Sequence, residues 1–240
     1  MFALSVDDMV GTLDPHRIVS GAGLPVCVKG VSIDTRTLSA GDVYVALIGK
    51  RYDGHRFLDD AVAAGASLLV VSKVPRHRYP SVPMLVVADT MRALATLAAA
   101  VRARYSPTMI GVTGSMGKTT VKEMLRHLMS RESVLSNPGT ENNVIGVSKA
   151  LLRLKAAHRV GVLELGTNHF GEIADLAGIV VPDAGIVTCI APVHTEFLRD
   201  VAGVLREKIS LFSACPRTQP ILNGDDPMLA GVRTSVKPVW

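Results

Sequence analysis

The sequence is poor in aromatic residues and in cysteine, and it has no long apolar run. Aromatic side chains make up 4% of the 240 residues, and Cys27, Cys189 and Cys215 are far apart. Such spacing lacks the paired cysteines of a zinc site and the density of a disulfide scaffold. No segment approaches the ~18 consecutive apolar residues of a membrane span, and the N-terminal residues show no apolar signal. We therefore expect a cytoplasmic protein with reduced cysteines.

Charge is nearly balanced and is dispersed along the chain. The sequence carries 26 Lys and Arg against 21 Asp and Glu, which gives a net charge of +5. A nucleic-acid surface gathers basic residues beside aromatic platforms, and this composition does not favour one. A hydrophobic fraction of 48% is ample for one large or two small cores. The composition thus predicts a globular protein whose partners are anionic small molecules.

The pattern of apolar segments changes near residue 106 and predicts two α/β domains. Asp89 is a credible N-terminal cap for a helix with one apolar face. We read that helix as a connector between a small α/β domain and a larger one. The predicted domains are residues 1–88 and residues 89–240, with the connector helix over 89–106.

The second domain repeats a strand, a loop and a helix. This alternation predicts parallel strands joined by crossover helices. Its predicted strands are residues 109–113, 160–165, 184–190 and 220–223. Ligands of such sheets collect beyond the carboxyl ends of the strands. The loops expected to converge there are residues 114–120, 164–169, 191–196 and 223–226.

The loop after the first of these strands is the most informative segment of the chain. Residues 111–120 read GVTGSMGKTT. Glycines let the backbone approach an anion, the next helix presents its positive end, and Lys118 adds a full charge, while Thr119 would hold magnesium. The usual pattern G-x-x-x-x-G-K-[ST] has its first glycine where Val112 stands, and a purely structural turn is the alternative. We interpret the segment as a phosphate-binding loop.

Other polar residues follow the predicted strands, and the residues alone leave their roles open. Glu164 ends an apolar strand and is either a magnesium ligand or a surface acid. His194 either reaches the same edge or lies in a solvated loop. The helical pattern places Lys208 in solvent. Asn142 and Asn143 either position a carbonyl or phosphate group or form a turn.

Several ordered motifs together resemble the Mur ligase family, over nearly the whole chain. They read SIDTR at 32–36, GDVYVAL at 41–47, DGHRF at 53–57, GSMGKTTVKEM at 114–124, NNVIG at 142–146, LELGTNH at 163–169 and LNGDD at 222–226. The segment at 163–169 is similar to the branch that adds D-alanyl-D-alanine to a UDP-N-acetylmuramoyl-tripeptide. The branch that adds diaminopimelate or lysine usually has a Ser-Ser-His type sequence there.

The resemblance implies a fold and a reaction. It implies a small N-terminal α/β UDP-binding domain, followed by a P-loop-type, mostly parallel-sheet ATPase domain. A third domain would receive the amine substrate, and we expect it and the end of the central sheet to be missing after Trp240. The implied reaction is ATP-dependent amide formation through an acyl phosphate, with ATP and Mg²⁺ as cofactors. The implied partners are a UDP-N-acetylmuramoyl-peptide, D-alanyl-D-alanine and a separate C-terminal domain.

The resemblance also assigns roles by position. Lys118 would contact the β- and γ-phosphates, and magnesium would be held by Thr119, Glu164 and His194. Lys208 matches a family lysine that becomes carbamylated near the second metal. Further nucleotide contacts are implied for Gly114, Ser115, Met116, Gly117, Thr120, Asn223 and Asp226. Substrate contacts are implied for Ser32, Thr35, Arg36, Gly54, His55, Asn142, Asn143 and Thr167.

Three positions depart from the family pattern. Ser210 stands where an acidic residue is usual, Ser148 where proline is common, and Met116 where the phosphate loop has a small residue. Three functions therefore stay open. The favoured one is a peptide ligase that needs its third domain. The others are a regulatory module that binds nucleotide or UDP-muropeptide without ligation, and a Mur-type ligase that adds a single amino acid.

Overall fold

The computed structural model describes residues 2–20, 23–49, 52–76 and 79–240. It divides the chain into two compact units, Met1–Arg104 and Tyr105–Trp240. Helices and strands alternate in both, which confirms the predicted α/β class. Within the described ranges, no helix combines the length and the apolar composition needed to cross a membrane.

The first unit is a small α/β fold around one mixed sheet. In chain order its elements are α1 (Val6–Leu13), β1 (Arg17–Val19), β2 (Val31–Ser32), β3 (Val43–Val45), β4 (Ile48–Gly49), β5 (Tyr52–Asp53), a 3-10 turn (Gly54–Phe57), α2 (Leu58–Ala63), β6 (Leu68–Val71), β7 (Met84–Val86) and α3 (Thr90–Ala103). The order of the five-stranded sheet is β1-β7-β6-β3-β2, and among its described pairings only β1–β7 is antiparallel, while β4 and β5 form a separate antiparallel pair. Leu58 and Ala61 of α2 belong to one apolar core cluster with Tyr44 and Leu69 of the sheet.

The helix predicted as a connector, α3, is part of the first unit. The carboxylate of Asp89 accepts the Met91 N–H at 2.7 Å, which confirms the predicted cap. Leu94 and Leu97 are fully buried, and α3 packs against α1 and β6. Because the apolar face of α3 is covered by this unit, the first unit runs to Arg104, whereas the sequence placed the division after residue 88.

The second unit is an α/β fold around a parallel sheet. In chain order its elements are β8 (Thr108–Thr113), α4 (Lys118–Leu128), β9 (Val134–Ser136), α5 (Val144–Leu151), β10 (Val160–Glu164), α6 (Glu172–Val180), β11 (Ala184–Val187), α7 (Thr195–Leu198), α8 (Val201–Ala214) and β12 (Gln219–Leu222). The four predicted strands are present as β8, β10, β11 and β12. The sequence did not predict β9, which has three residues, or the helices α5 and α7.

The strand order of the second unit creates a crevice. The order is β12-β11-β8-β10-β9, and all four pairings are parallel, as predicted. From the central β8 the chain passes to the edge strand β9, returns to β10, and then crosses to β11 on the other side of β8. Such a reversal leaves a ligand crevice outside the carboxyl ends of the strands on either side of it. Here those ends belong to β8, β10 and β11.

Candidate active site

The predicted phosphate loop lies at this crevice, between the end of β8 and the start of α4. Gly114 has φ +141°, and a Cβ there would lie 2.0 Å from Thr188 Oγ1. The loop therefore passes closer to the residue after β11 than any side chain would allow. Gly117 caps α4 in the left-handed conformation. The unpaired N–H groups of such a helix start favour an anion.

Lys118, the first residue of α4, folds back over this loop. Its Nζ donates to Gly114 O at 2.9 Å and lies 3.2 Å from Ser115 O. The ammonium thus lies over the backbone of the loop, and its contact with phosphates stays a prediction. Thr120, in the same first turn of α4, is exposed.

Glu164 is held between two side chains at the end of β10. Its Oε2 accepts the hydroxyl of Thr119 at 2.7 Å, and its Oε1 accepts Asn142 Nδ2 at 2.7 Å. The residue is 1% exposed, so it is not the surface acid of the alternative interpretation. A buried carboxylate requires partners of this kind.

The donor set beside the phosphate loop fits magnesium. Thr119 and Glu164 offer hard oxygens, and Mg²⁺ sites commonly use one or two carboxylates together with substrate phosphates. Within the described residues, no group of three or more His, Cys, Asp and Glu side chains is close enough to hold a metal by itself. The third predicted ligand, His194, is exposed.

Hydrogen bonds connect the loops after β8, β11 and β12, which were predicted to meet at the carboxyl edge of the sheet. Ser115 N–H donates to Cys189 O, and Ser115 Oγ accepts the Ala191 N–H at 2.9 Å. Asp226, after β12, accepts the Ile190 N–H at 2.6 Å. The loop after β11 is therefore fixed between the phosphate loop and Asp226.

The two residues implied for adenosine contacts differ from each other. Asp226 is 8% exposed, and its oxygens accept the amides of Ile190 and Met228, so its carboxylate is committed to bracing loops. Asn223 is exposed and accepts the Asp225 N–H at 3.1 Å in a turn. Of these two side chains, only that of Asn223 has a polar group, its amide nitrogen, that faces no described partner.

Lys208 is buried, and the prediction that it faces solvent is wrong. It is 2% exposed on α8, because that helix packs this face against α6 and β11. Burial lowers the pKa of its ammonium to about 8, and the positive charge of Lys118 adds to the effect. The amine is thus partly neutral near neutral pH, which makes it available as a nucleophile. Two places later, where the family pattern usually has an acidic residue, this chain has Ser210. Its hydroxyl donates to Glu207 O within the helix.

Thr167 and Asn143 mainly shape the loops that carry them. The Thr167 hydroxyl is within hydrogen-bond distance of His169 O, at 2.7 Å, and of the Glu172 and Glu207 carboxylates. Asn143 caps α5 by accepting the Gly146 N–H at 3.0 Å, which is the turn-forming alternative. Asn142 instead reaches Glu164, so of the two asparagines it is the one with a place in the site.

In the first unit, His55 has partners at both ring nitrogens. Its Nε2 accepts the Ser72 N–H at 3.0 Å, so the proton lies on Nδ1, which faces Asp53 Oδ1 at 2.8 Å. Lys73 and this contact hold the pKa of Asp53 well below its usual range. The imidazole thus ties β5 to the end of β6, and it has no nitrogen left for a ligand.

The remaining residues implied for the UDP end form turns with different exposure. Gly54 is buried, and a Cβ there would lie 2.8 Å from Leu47 N, so the close approach of the two segments requires glycine. Ser32 Oγ bonds the backbone of Asp34, and Asp34 binds the Arg36 guanidinium through Nε and an Nη. Arg36 is exposed, and Thr35 is half-buried.

Three buried polar residues of the second unit were missed by sequence reasoning. Lys122 and Asn137 are completely buried, and Glu207 is 2% exposed. Glu207 accepts the N–H groups of Gly171 and Ile173 at 2.8 Å, and so fixes α8 to the start of α6. Lys122 appeared only as part of a family motif. The spacing of Lys122 and Glu207 along their helices does not distinguish a buried charge from an exposed one.

Comparisons with known proteins agree with this fold. The relative from Escherichia coli K12, a UDP-N-acetylmuramoyl-tripeptide–D-alanyl-D-alanine ligase, is 40% identical over 85% of this chain and 45% of its own length. The structure of MurF from Acinetobacter baumannii matches with a TM-score of 0.87 at 32% identity, over 94% of this chain and 50% of that one. MurF from Thermotoga maritima in complex with ADP matches with a TM-score of 0.77 at 30% identity, over 85% and 47%.

The chain therefore spans about half the length of the relatives that it matches. The profile of the Mur ligase family catalytic domain matches residues 27–102, and that of the Mur ligase middle domain matches residues 112–239. The second match covers more than half of the chain and contains the phosphate loop with Glu164. On these grounds, the chain belongs to the Mur ligase family.

Proposed function

We propose that this chain supplies the nucleotide-binding and UDP-muropeptide-binding parts of an ATP-dependent peptide ligase. The ligase would join D-alanyl-D-alanine to a UDP-N-acetylmuramoyl-tripeptide. One observation carries the proposal: Lys118 lies over the phosphate loop, and Thr119 of the same helix turn contacts Glu164 at the carboxyl edge of the sheet. The names of the relatives and the ADP complex of a structural neighbour support it.

The second unit would hold the phosphates of ATP against residues 114–119. The backbone amides of the loop and the Lys118 ammonium would bind the phosphate oxygens. Magnesium, bound through the oxygens of Thr119 and Glu164, would neutralise phosphate charge and orient the γ-phosphate. The exposed edge near Asn223 would lie beside the adenosine.

The reaction would proceed in two steps. The terminal carboxylate of the tripeptide attacks the γ-phosphorus, the bond to the β–γ bridging oxygen breaks, and ADP leaves. The amine of D-alanyl-D-alanine then attacks the acyl carbon, expels inorganic phosphate and loses a proton. Two anions must meet in the first step, so the contribution of Lys118 is to reduce their repulsion and to fix their geometry.

Lys208 enters the proposal through its buried, partly neutral amine. The ammonium would first lose a proton, and the neutral amine would then react with carbon dioxide to form a carbamate and release a second proton, so that a cation becomes an anion near the second metal. His194 would be a further metal ligand. The loop that carries it is held near the phosphate loop, since the Ala191 N–H donates to Ser115 Oγ.

In the first unit, Arg36 is the most accessible cation among the residues implied for substrate binding. Its exposed guanidinium would meet the diphosphate of the UDP-muropeptide, while Ser32, Thr35 and the Gly54 turn would shape the surrounding surface. His55 would stabilise that surface through its contacts to Asp53 and Ser72 rather than bind the ligand.

A second candidate function is nucleotide or UDP-muropeptide binding without ligation. Ser210 favours it, because its hydroxyl is engaged within α8 and offers no acid to the site. Addition of a single amino acid by a Mur-type ligase is a third candidate. The names of the relatives favour D-alanyl-D-alanine over that alternative.

The test measures ADP and phosphate release with ATP, Mg²⁺, UDP-N-acetylmuramoyl-tripeptide and D-alanyl-D-alanine, with and without a separately supplied C-terminal domain. We expect turnover that requires that domain and all four reactants. Saturable binding of both nucleotides without turnover in either case would support the second candidate. Turnover with a single amino acid in place of the dipeptide would support the third.

A further inference from the structure

Lys122 is the one fully buried residue of helix α4 in the described structure. Its side chain is completely excluded from solvent, although three of its helix neighbours that face the sheet, Val121, Leu125 and Met129, are only partly buried. A buried ammonium is costly unless its protons are all bound. Here Nζ donates to Asn137 O at 2.8 Å and to Gly139 O at 2.7 Å, and it lies 3.3 Å from Glu123 Oε1.

These contacts hold the segment that follows β9. An ammonium has three donors, so the three partners satisfy it. Two of them are backbone carbonyls two residues apart, and an apolar residue at 122 would leave the buried carbonyl of Asn137 without this donor. Lys122 therefore fixes the path of the chain from Asn137 to Gly139.

Asn137 extends the pairing between β9 and β10 to Glu164. The backbone register ends at the Val162–Ser136 pair. Beyond it, the Asn137 side chain accepts the Glu164 N–H at 2.9 Å and donates to Glu164 O at 2.9 Å. Its second amide proton goes to Glu141 O at 2.7 Å. The side chain thus fixes the backbone of Glu164 and the loop that carries Asn142.

Asn142 completes the connection at the carboxylate. Its Nδ2 donates to Glu164 Oε1 at 2.7 Å, which leaves Oε2 directed at the Thr119 hydroxyl. Thr119 and Lys122 are three residues apart and so share one face of α4. The helix that would bind phosphate through Lys118 and magnesium through Thr119 therefore also sets, through Lys122, the loop that orients the opposing carboxylate.

We propose that Lys122 is a positioning residue for the magnesium–nucleotide site. Acting through Asn137 and Asn142, it keeps the Glu164 carboxylate facing Thr119 and makes no contact with the ligand itself. This inference rests on the proposed function, since it assumes that Thr119 and Glu164 hold magnesium beside bound ATP.

The experiment compares ATP affinity of the 240-residue chain by calorimetric titration in Mg²⁺ and in EDTA. The variant Lys122→Met keeps the length and apolar stem but removes the donors. We expect its magnesium-dependent gain in affinity to fall by about 10-fold or more, while its affinity in EDTA changes little. The matched control is Lys149→Met, which removes a lysine that contacts the same loop from outside, through Glu141 Oε2 at 2.8 Å. The control should keep the gain.

A second variant covers the case in which Lys122→Met does not fold. Asn142→Ala leaves the buried ammonium paired and removes only the last contact to Glu164, and it should lose the same magnesium-dependent gain. An undiminished gain in either variant would overturn the positioning role while leaving the proposed function intact. Failure of the unmodified chain to bind ATP in both solutions would instead overturn the proposed nucleotide site, and the inference with it.

Discussion

The hydroxyl of Thr119 donates a 2.7 Å hydrogen bond to Glu164 Oε2, which joins the first turn of α4 to the end of β10. The contact brings a phosphate-loop residue and a buried carboxylate together across the central strands of the sheet. Both oxygens are of the hard type that magnesium prefers. The predictions for this site depend on that pair.

Replacing Glu164 with Gln should separate magnesium binding from phosphate binding. The amide keeps the shape of the side chain but loses its charge, so the Mg²⁺ concentration needed for half-maximal ATP binding should rise by about 10- to 100-fold. ATP affinity in EDTA should stay the same or improve, since one negative charge beside the phosphates is gone. A magnesium titration at fixed ATP measures this. An unchanged half-maximal Mg²⁺ concentration would show that Glu164 is not a ligand.

Gly114→Ala should destabilise the second unit. Its Cβ would meet Thr188 Oγ1 at 2.0 Å in a backbone region that other residues rarely adopt. We expect the free energy of unfolding to fall by at least about 2 kcal/mol, measured by urea denaturation. The control is Gly178→Ala in α6, where a Cβ meets nothing within 4 Å. That change should stabilise the chain by about 0.5–1 kcal/mol. Equal stability of the two variants would contradict the close approach of loop and strand.

Lys208→Met should stabilise the chain at neutral pH and lose that advantage in alkali. The pKa of Lys208 is about 8 when folded, against 10.5 for an ordinary lysine, so the unfolded chain binds more protons between these values. The unfolding free energy of the unmodified chain should therefore rise across that window relative to the variant. The difference should be of order 2–3 kcal/mol at pH 7 and shrink toward pH 10. Denaturation at several pH values measures it, and a constant difference would contradict the lowered pKa of the buried ammonium.

His55 and Arg36 should separate stability from ligand binding in the first unit. His55→Ala leaves the Ser72 N–H without its acceptor and removes the imidazole contact to Asp53, so thermal and urea unfolding should show a loss of about 2 kcal/mol. Arg36→Gln changes an exposed side chain and should alter stability by less than about 0.5 kcal/mol, while weakening binding of a UDP-muropeptide. The reverse pattern, with His55→Ala stable but unable to bind the ligand, would return the imidazole to the binding site.

Much of the second unit could be predicted from the sequence. The run of residues 109–113 before the glycines predicts strand β8, and Lys118 and Thr119 occupy the expected helix start. Short-range signals of this kind depend on neighbouring residues only. The position of Glu164 after an apolar strand was likewise enough to predict that it lies at the same edge.

The contacts that orient the site could not be predicted in this way. Lys122 bonds residues 15 and 17 positions away, and Asp226 bonds an amide 36 positions away. Lys208 was predicted to face solvent because lysines on helices usually do, yet packing of α8 against α6 covers it. His55 was assigned to a ligand because its motif carries that association, whereas its ring nitrogens face the nearby Asp53 carboxylate and the N–H of Ser72, 17 positions away. In each case the outcome depends on residues that are distant in sequence.

Binding of Mg²⁺–ADP to the 240-residue chain, followed by titration calorimetry, tests the central claim most directly. The account predicts saturable binding at one site, weakened by about 100-fold in Lys118→Ala because a charged hydrogen-bond donor to the phosphates is lost. The control Lys155→Ala, at an exposed lysine of the same unit, should bind as the unmodified chain does. Absence of binding to the unmodified chain, or equal affinity in Lys118→Ala, would contradict the assignment of residues 114–119 to a nucleotide site.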